Sequence, residues 1–202
     1  NALSLRIARS YCKKTKIAFC GYHGWHDWYL SANLNKKGNL DQHLLKDLST
    51  QGVPKELKNT VFPFEYGNHN QFLNIIKKHN IGIVKMEVAR NLSPDLKFLK
   101  FIRHECSKNK IILIFDECTS GFRQNFGGMH KILKINPDLA VFGKSLGNGF
   151  AITAVLGKKK IMDASKKSFI SSTFWSERAG YAAALETLNQ MEKIKSWNKI
   201  SI

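Results

Sequence analysis

The sequence lacks closely spaced cysteine pairs. Its four cysteines, Cys12, Cys20, Cys106 and Cys118, are scattered. This argues against a zinc ribbon and against a secreted disulfide framework; with no signal peptide ahead of them, a reducing cytoplasm is the expected setting. Long apolar runs are missing too, so no membrane-spanning helix is expected. Acidic residues are few: 15 Asp+Glu stand against 32 Lys+Arg, a formal net charge of +17. Such a surplus favours phosphates, nucleic acids or acidic surfaces. The lysines, however, fall in pairs and one triplet (Lys13 and Lys14, Lys36 and Lys37, Lys77 and Lys78, Lys158 to Lys160, Lys166 and Lys167) spread along the chain. A groove binder concentrates its charge, so solvated helix ends and loops are the expected places for these, with no nucleic-acid partner. There are no repeats and no low-complexity segment. The chain opens at Asn1, without an initiator methionine, directly into a helical pattern, and a missing N-terminal part is expected.

What is present is enough for one domain with a real core: 202 residues, 43% of them hydrophobic. Helical spacing runs over Ala2 to Lys13, and a short strand over Lys16 to Cys20 empties into the ring-rich stretch GYHGWHDWYL, Gly21 to Leu30. Ser31 to Asn59 is polar and reads as a loop with one short helix near Asp41 to Asp47. Then strands and helices alternate: strand Val61 to Phe64, helix Asn70 to His79, strand Ile81 to Met86 ending at Glu87, and helix Ser93 to Lys108 begun by Ser93-Pro94. Two central strands, a strand Ile152 to Leu156 and a long helix from Glu177 to Lys195 follow. Continuous apolar strands in this rhythm predict a mostly parallel sheet covered by helices.

The chemistry gathers in IILIFDECTSGFR, Ile111 to Arg123, and FGKSLGNG, Phe142 to Gly149. The first is an apolar run ending in Asp116 and Glu117 before Thr119, Ser120 and Gly121 break the pattern. The second ends a strand at Gly143 and puts Lys144 on a glycine-rich loop. An acid and an amine at two strand ends of one sheet face the crevice where open α/β sheets bind ligands. Lys144 is either an exposed loop residue or an amine able to form a Schiff base with a carbonyl substrate or with pyridoxal phosphate. Pyridoxal chemistry demands a carboxylate against the pyridine nitrogen, and Asp116 is where one would be held.

Taken together, GYHGWHD, IILIFDECTSGFR, NPDLAVFGKSLGNGFAITAVLG and SSTFWSERAGYAAALETL resemble successive landmarks of the class III pyridoxal-phosphate aminotransferases, in the branch similar to glutamate-1-semialdehyde aminomutase. The resemblance covers nearly the whole chain. It implies the large domain of fold type I, a three-layer α/β/α arrangement with a mostly parallel mixed sheet, in a homodimer with shared active sites. It further implies that residues 1–202 are the central part of that domain, with an N-terminal segment carrying the phosphate cradle and a C-terminal small domain lying beyond them. Carried over by position, Lys144 would be the Schiff-base lysine and proton relay. Asp116 would pair with the pyridinium nitrogen, Tyr22 and Cys118 would pack on the two ring faces, and His23 and Glu87 would join the cofactor-binding set. Thr173 would reach the phosphate of the partner's cofactor, and Glu117 would be a structural acceptor.

The chain departs from the family pattern at Glu87-Val88, where Glu-Pro is common, at Thr119, where the side chain is usually longer, at Phe150-Ala151, where Leu-Pro is usual, and at Trp175 to Arg178. His23 and His26 beside Asp27 are expected to pack rather than bind metal. Trp25, Trp28 and Tyr29 either line a substrate pocket or fill a dimer interface. Arg123 and Arg178 are candidates to hold a substrate carboxylate, with a structural role expected for Arg123. The reading is of an enzyme moving an amino group between a small-molecule donor and a carbonyl acceptor. The alternatives are a glutamate-1-semialdehyde 2,1-aminomutase and, remotely, a basic nucleic-acid-binding module.

Overall fold

In the computed structural model, which describes residues 1–89 and 93–200, the apolar runs lie side by side in a single sheet. Its strands are β1 Lys16–Cys20, β2 Val61–Pro63, β3 Ile81–Glu87, β4 Ile112–Asp116, β5 Leu139–Phe142 and β6 Ala154–Gly157. Their order is β2-β1-β3-β4-β5-β6; the first five are parallel, and β6 runs antiparallel to β5. Every residue of β3, β4 and β5 is buried, as a sheet covered on both faces requires.

The helices are α1 Ala2–Cys12, α2 Asp27–Leu30, α3 Ala32–Asn35, α4 His69–Lys78, α5 Leu96–Lys108, α6 Met129–Leu133, α7 Lys159–Met162, α8 Arg178–Ile194 and α9 Trp197–Ile200. Successive side chains of a strand point to opposite faces, and the core divides accordingly. On one face Leu5, Ile7 and Ala8 of α1, with Trp28 and Tyr29, pack on Ile17, Phe19, Ile83, Ile112, Ile114, Leu139 and Val141. On the other, Phe72 of α4 and Phe98, Leu99, Ile102 and Cys106 of α5 pack on Ala18, Cys20, Val84, Met86, Leu113 and Phe115. Farther along, Ala184 of α8 joins Ala140, Phe142 and Leu146. This is the helix-covered sheet that the strand pattern predicts and the three-layer arrangement that the family resemblance implies.

Local expectations fail in three places. No helix forms over 41–47: side chains compete for the backbone, with Asn33 Oδ1 accepting from Leu40 N–H at 3.0 Å and Asp41 Oδ1 from Asp47 N–H at 3.2 Å. The helix expected from Ser93 starts at Leu96 instead, because Asp95 caps it by accepting from the Lys97 and Phe98 N–H groups. The last strand starts two residues late, at Ala154, after a tight turn in which Ile152 N–H donates to Phe150 O.

Candidate active site

Parallel strands deliver their carboxyl ends to one edge, and β1, β3, β4 and β5 are consecutive there. Each ends in chemistry: β1 runs into Gly21, Tyr22 and His23, β3 ends at Glu87, β4 at Asp116, and β5 is followed by Gly143 and Lys144. Glu87 stands opposite Asp116, and Asp116 opposite Val141.

Asp116 is buried. Its Oδ2 lies 2.8 Å from His23 Nδ1, and its Oδ1 accepts from the Cys118 N–H at 3.1 Å. Burial alone would raise its pKa, but the His23 hydrogen bond, the nearby Lys85 charge and the Cys118 N–H outweigh it, and the carboxyl stays well below its ordinary range. His23 is itself fully enclosed; burial lowers the imidazole pKa, and the hydrogen bond to Asp116 only partly restores it. The ring therefore favours a single proton. That proton belongs on Nδ1, where a carboxylate accepts it more strongly than a neutral carbonyl would at the other nitrogen. Nε2 lies 3.1 Å from Cys20 O, a contact that becomes a hydrogen bond when the ring takes up a second proton.

The loop carrying Tyr22 is pinned from several directions. Gly21 N–H donates to His43 Nδ1 at 3.1 Å, Tyr29 Oη to Gly21 O at 3.3 Å, and Tyr22 N–H to Glu87 Oε2 at 2.9 Å. Gly21 has φ +104°, and a Cβ there would lie 2.7 Å from Glu87 Oε2. Glycine is thus demanded both by the backbone and by the closeness of the acid. Tyr22 is half-buried against the α1 side of the core. His43 is held neutral, its pKa pushed down to about 4 by burial and then by His23, which keeps Nδ1 an acceptor.

Lys144 is exposed with φ +45°, and its Nζ donates to Thr119 Oγ1 at 2.8 Å. Cys118 lies close to the strand end: a Cβ on Gly143 would come within 3.4 Å of its Sγ. Burial and the Asp116 charge push the Cys118 thiol up to about 12, so it stays neutral and suits an apolar contact. Lys144, Arg123, Ser145, Phe150, Ile152 and Thr153 are among the residues lining an open cavity of about 650 Å³. Arg123, for which the sequence favours a structural role, lines the same cavity as the lysine. Glu117 is a structural acceptor: it receives Ser120 Oγ at 2.5 Å, Met129 N–H at 2.9 Å and His130 N–H at 3.0 Å, which caps α6.

Asp116, His23, Glu87 and Tyr22 are thus brought together through direct contacts, and Lys144 and Cys118 stand at the neighbouring strand ends. Thr173 lies apart in an exposed turn with Phe174 and Trp175, and Arg178 is the exposed first residue of α8. His26 stacks on Trp25, with ring centroids 5.5 Å apart. Trp28 and Tyr29 pack in the core around Phe19 rather than lining a pocket. Three residues of the site escaped the sequence reading. Thr119 shows in the sequence only as a departure from the family pattern. His43 sits in a polar stretch with no periodic signal. Lys85 interrupts the apolar run of β3, and that interruption was the available signal.

The comparisons with known proteins follow this geometry. The sequence pattern of the family described as aminotransferase class-III matches residues 91–201. A 3-aminobutyryl-CoA aminotransferase from Cloacimonas acidaminovorans is 34% identical over 95% of this chain and 44% of its own length. A glutamate-1-semialdehyde 2,1-aminomutase from Nitrosopumilus maritimus is 35% identical over 96% of this chain and 47% of its own length. Among solved structures, FumI from Sphingopyxis sp. MTA144, in its PLP internal aldimine form, superposes with a TM-score of 0.80 at 25% identity, covering 95% of this chain and 44% of that one. An omega-transaminase from Sphaerobacter thermophilus gives the same TM-score and identity, over 94% of this chain and 47% of that one. The chain spans about half the length of the relatives it matches. With more than half of its residues inside the family pattern, this chain belongs to the class-III aminotransferases.

Proposed function

We propose that this chain forms the cofactor-binding core of a pyridoxal-phosphate-dependent aminotransferase that moves an amino group between a small-molecule amino donor and a carbonyl acceptor. One observation carries the reading: an ionised, buried Asp116 ends one strand, and an accessible Lys144 lies just past the end of the parallel strand next to it. The residues fit the cofactor. Asp116 is a fixed carboxylate for a protonated ring nitrogen, Cys118 is a neutral thiol, Tyr22 is an aromatic on a pinned loop, and Gly143 adds no side chain near the Cys118 sulfur. The cofactor, when bound, supplies a carbonyl carbon for amine attachment and a ring that withdraws electrons. Lys144 would provide the attaching amine and, once released, carry a proton to and from the substrate carbon, with Thr119 Oγ1 orienting its Nζ. Asp116 would hold a proton at the ring nitrogen, and His23 would hold Asp116 in place. Glu87, through the Tyr22 N–H, would fix the aromatic against the ring.

We read the chain as the central part of the large domain, which its coverage of the relatives supports, working in the cytoplasm with free cysteines. The exposed Phe169, Phe174 and Trp175 support a homodimer in which Thr173 serves the partner's cofactor. The second reading, an aminomutase acting within one substrate, is favoured by several relatives carrying that name at 30–35% identity. The test is Lys144→Ala. Borohydride reduction is expected to fix the cofactor's mass onto the parent enzyme and not onto the variant, as read by mass spectrometry; equal labelling of both rejects the assignment. Turnover without an external donor or keto acceptor would select the aminomutase.

A further inference from the structure

Lys85 lies in the centre of β3 and is completely buried. Its Nζ donates to Ser4 Oγ of α1 at 3.1 Å, and Ser4 Oγ in turn donates to Asn1 O at 2.7 Å. Strand alternation puts Lys85 on the sheet face occupied by Ile83, Ile114, Glu87 and Asp116; it stands opposite Ile114, two residue pairs below the Glu87–Asp116 pair, with the Met86–Phe115 pair between them. That spacing is roughly 7 Å along the strand. A buried ammonium with a single hydroxyl partner is expensive, and the apolar neighbours show that a methionine-like side chain would fill the space more cheaply. The packing itself gives no reason for an amine here.

We propose that Lys85 is a positioning residue that acts through Asp116. Its buried charge, anchored by Ser4, loosens the carboxylate's hold on a proton at the cofactor's ring nitrogen and so sets how strongly the ring withdraws electrons. The inference rests on the cofactor reading above. Among the described residues, the titratable groups around the amine are Asp116 and Cys118 from β4 and its following loop and Glu87 from β3; His23, across Asp116, feels the same cation. Burial pushes Lys85 itself down, and the Asp116 and Glu87 carboxylates only partly pull it back up. Lys85 in turn lowers His23. One cation thus bears on both partners of the Asp116–His23 pair.

The test uses Lys85→Met, which keeps length and bulk and removes the charge. With pyridoxal phosphate labelled with ¹⁵N at the ring nitrogen, the holoenzyme variant is expected to shift that resonance toward its protonated position. In the cofactor-free protein, the variant is expected to raise the His23 titration midpoint by about one pH unit, because a like charge has been removed. Lys85→Arg, which keeps the charge, should stay near the parent in both measurements. Ser4→Ala, which strips the amine of its hydrogen bond and disfavours its charged form, should shift both in the same direction as Lys85→Met by a smaller amount, and it decides the matter if Lys85→Met does not fold. Folded variants with both signals unmoved overturn the role. If the parent enzyme takes up no pyridoxal phosphate, the cofactor reading fails, and the His23 midpoint still supports or overturns the coupling of Lys85 to the pair.

Discussion

At the scale of single residues, the site depends on keeping two imidazoles in defined states. His43 must stay neutral to accept the Gly21 N–H, and its pKa of about 4 lies below the ordinary histidine value. A histidine with a depressed folded pKa contributes stability that is complete above the unfolded value of about 6.5 and is lost as pH falls toward 4, since the unfolded chain binds the proton first. The lost stability should reach up to about 3 kcal/mol at full effect. Urea midpoints measured from pH 7 down to pH 4 are expected to fall, and to fall less in His43→Asn, whose amide oxygen accepts the same N–H without titrating. An equal decline in the variant would move the acid sensitivity elsewhere. His23, lowered by burial, weakens the fold in the same direction of pH.

At the scale of elements, the loop after β1 decides where Tyr22 stands. A side chain at position 21 meets Glu87 Oε2 and a backbone of φ +104°. Gly21→Ala is expected to cost about 1–3 kcal/mol and to displace the loop, measured as a lower unfolding midpoint together with weaker cofactor uptake. Much of this architecture was legible beforehand. Asp116 and Lys144 stood out because uninterrupted apolar runs stop at them, and burial on both faces of a parallel sheet produces such runs. Ser4, Lys85 and His43 did not stand out, because their partners are distant in sequence: 81 positions separate Lys85 from Ser4, and 22 separate His43 from Gly21. The start of α5 was misplaced for a different reason. Ser93-Pro94 carries a start signal, but the Asp95 carboxylate reaches two N–H groups and sets the helix there.

At the scale of the whole molecule, three strongly exposed rings stand close in sequence to Thr173: Phe169 is 85% exposed, Phe174 71% and Trp175 60%. Rings of this size carry much of the energy of interfaces. Trp175→Glu is expected to weaken self-association by about 2 kcal/mol or more. For the homodimer proposed above, sedimentation velocity should show a shift toward monomer with parallel loss of bound cofactor, whereas an unchanged distribution places any interface elsewhere.

The antiparallel return of β6 has a consequence for the order of assembly. After it, the chain passes back under the sheet, where Ser10 Oγ donates to Ala164 O and an Arg6 guanidinium nitrogen donates to Phe169 O, contacts spanning 154 and 163 positions. Part of the cover of α1 therefore comes from residues translated far later. Closing contacts of such separation costs loop entropy before they return any stability. On the ribosome, these contacts of α1 can close only after about 160 more residues have emerged.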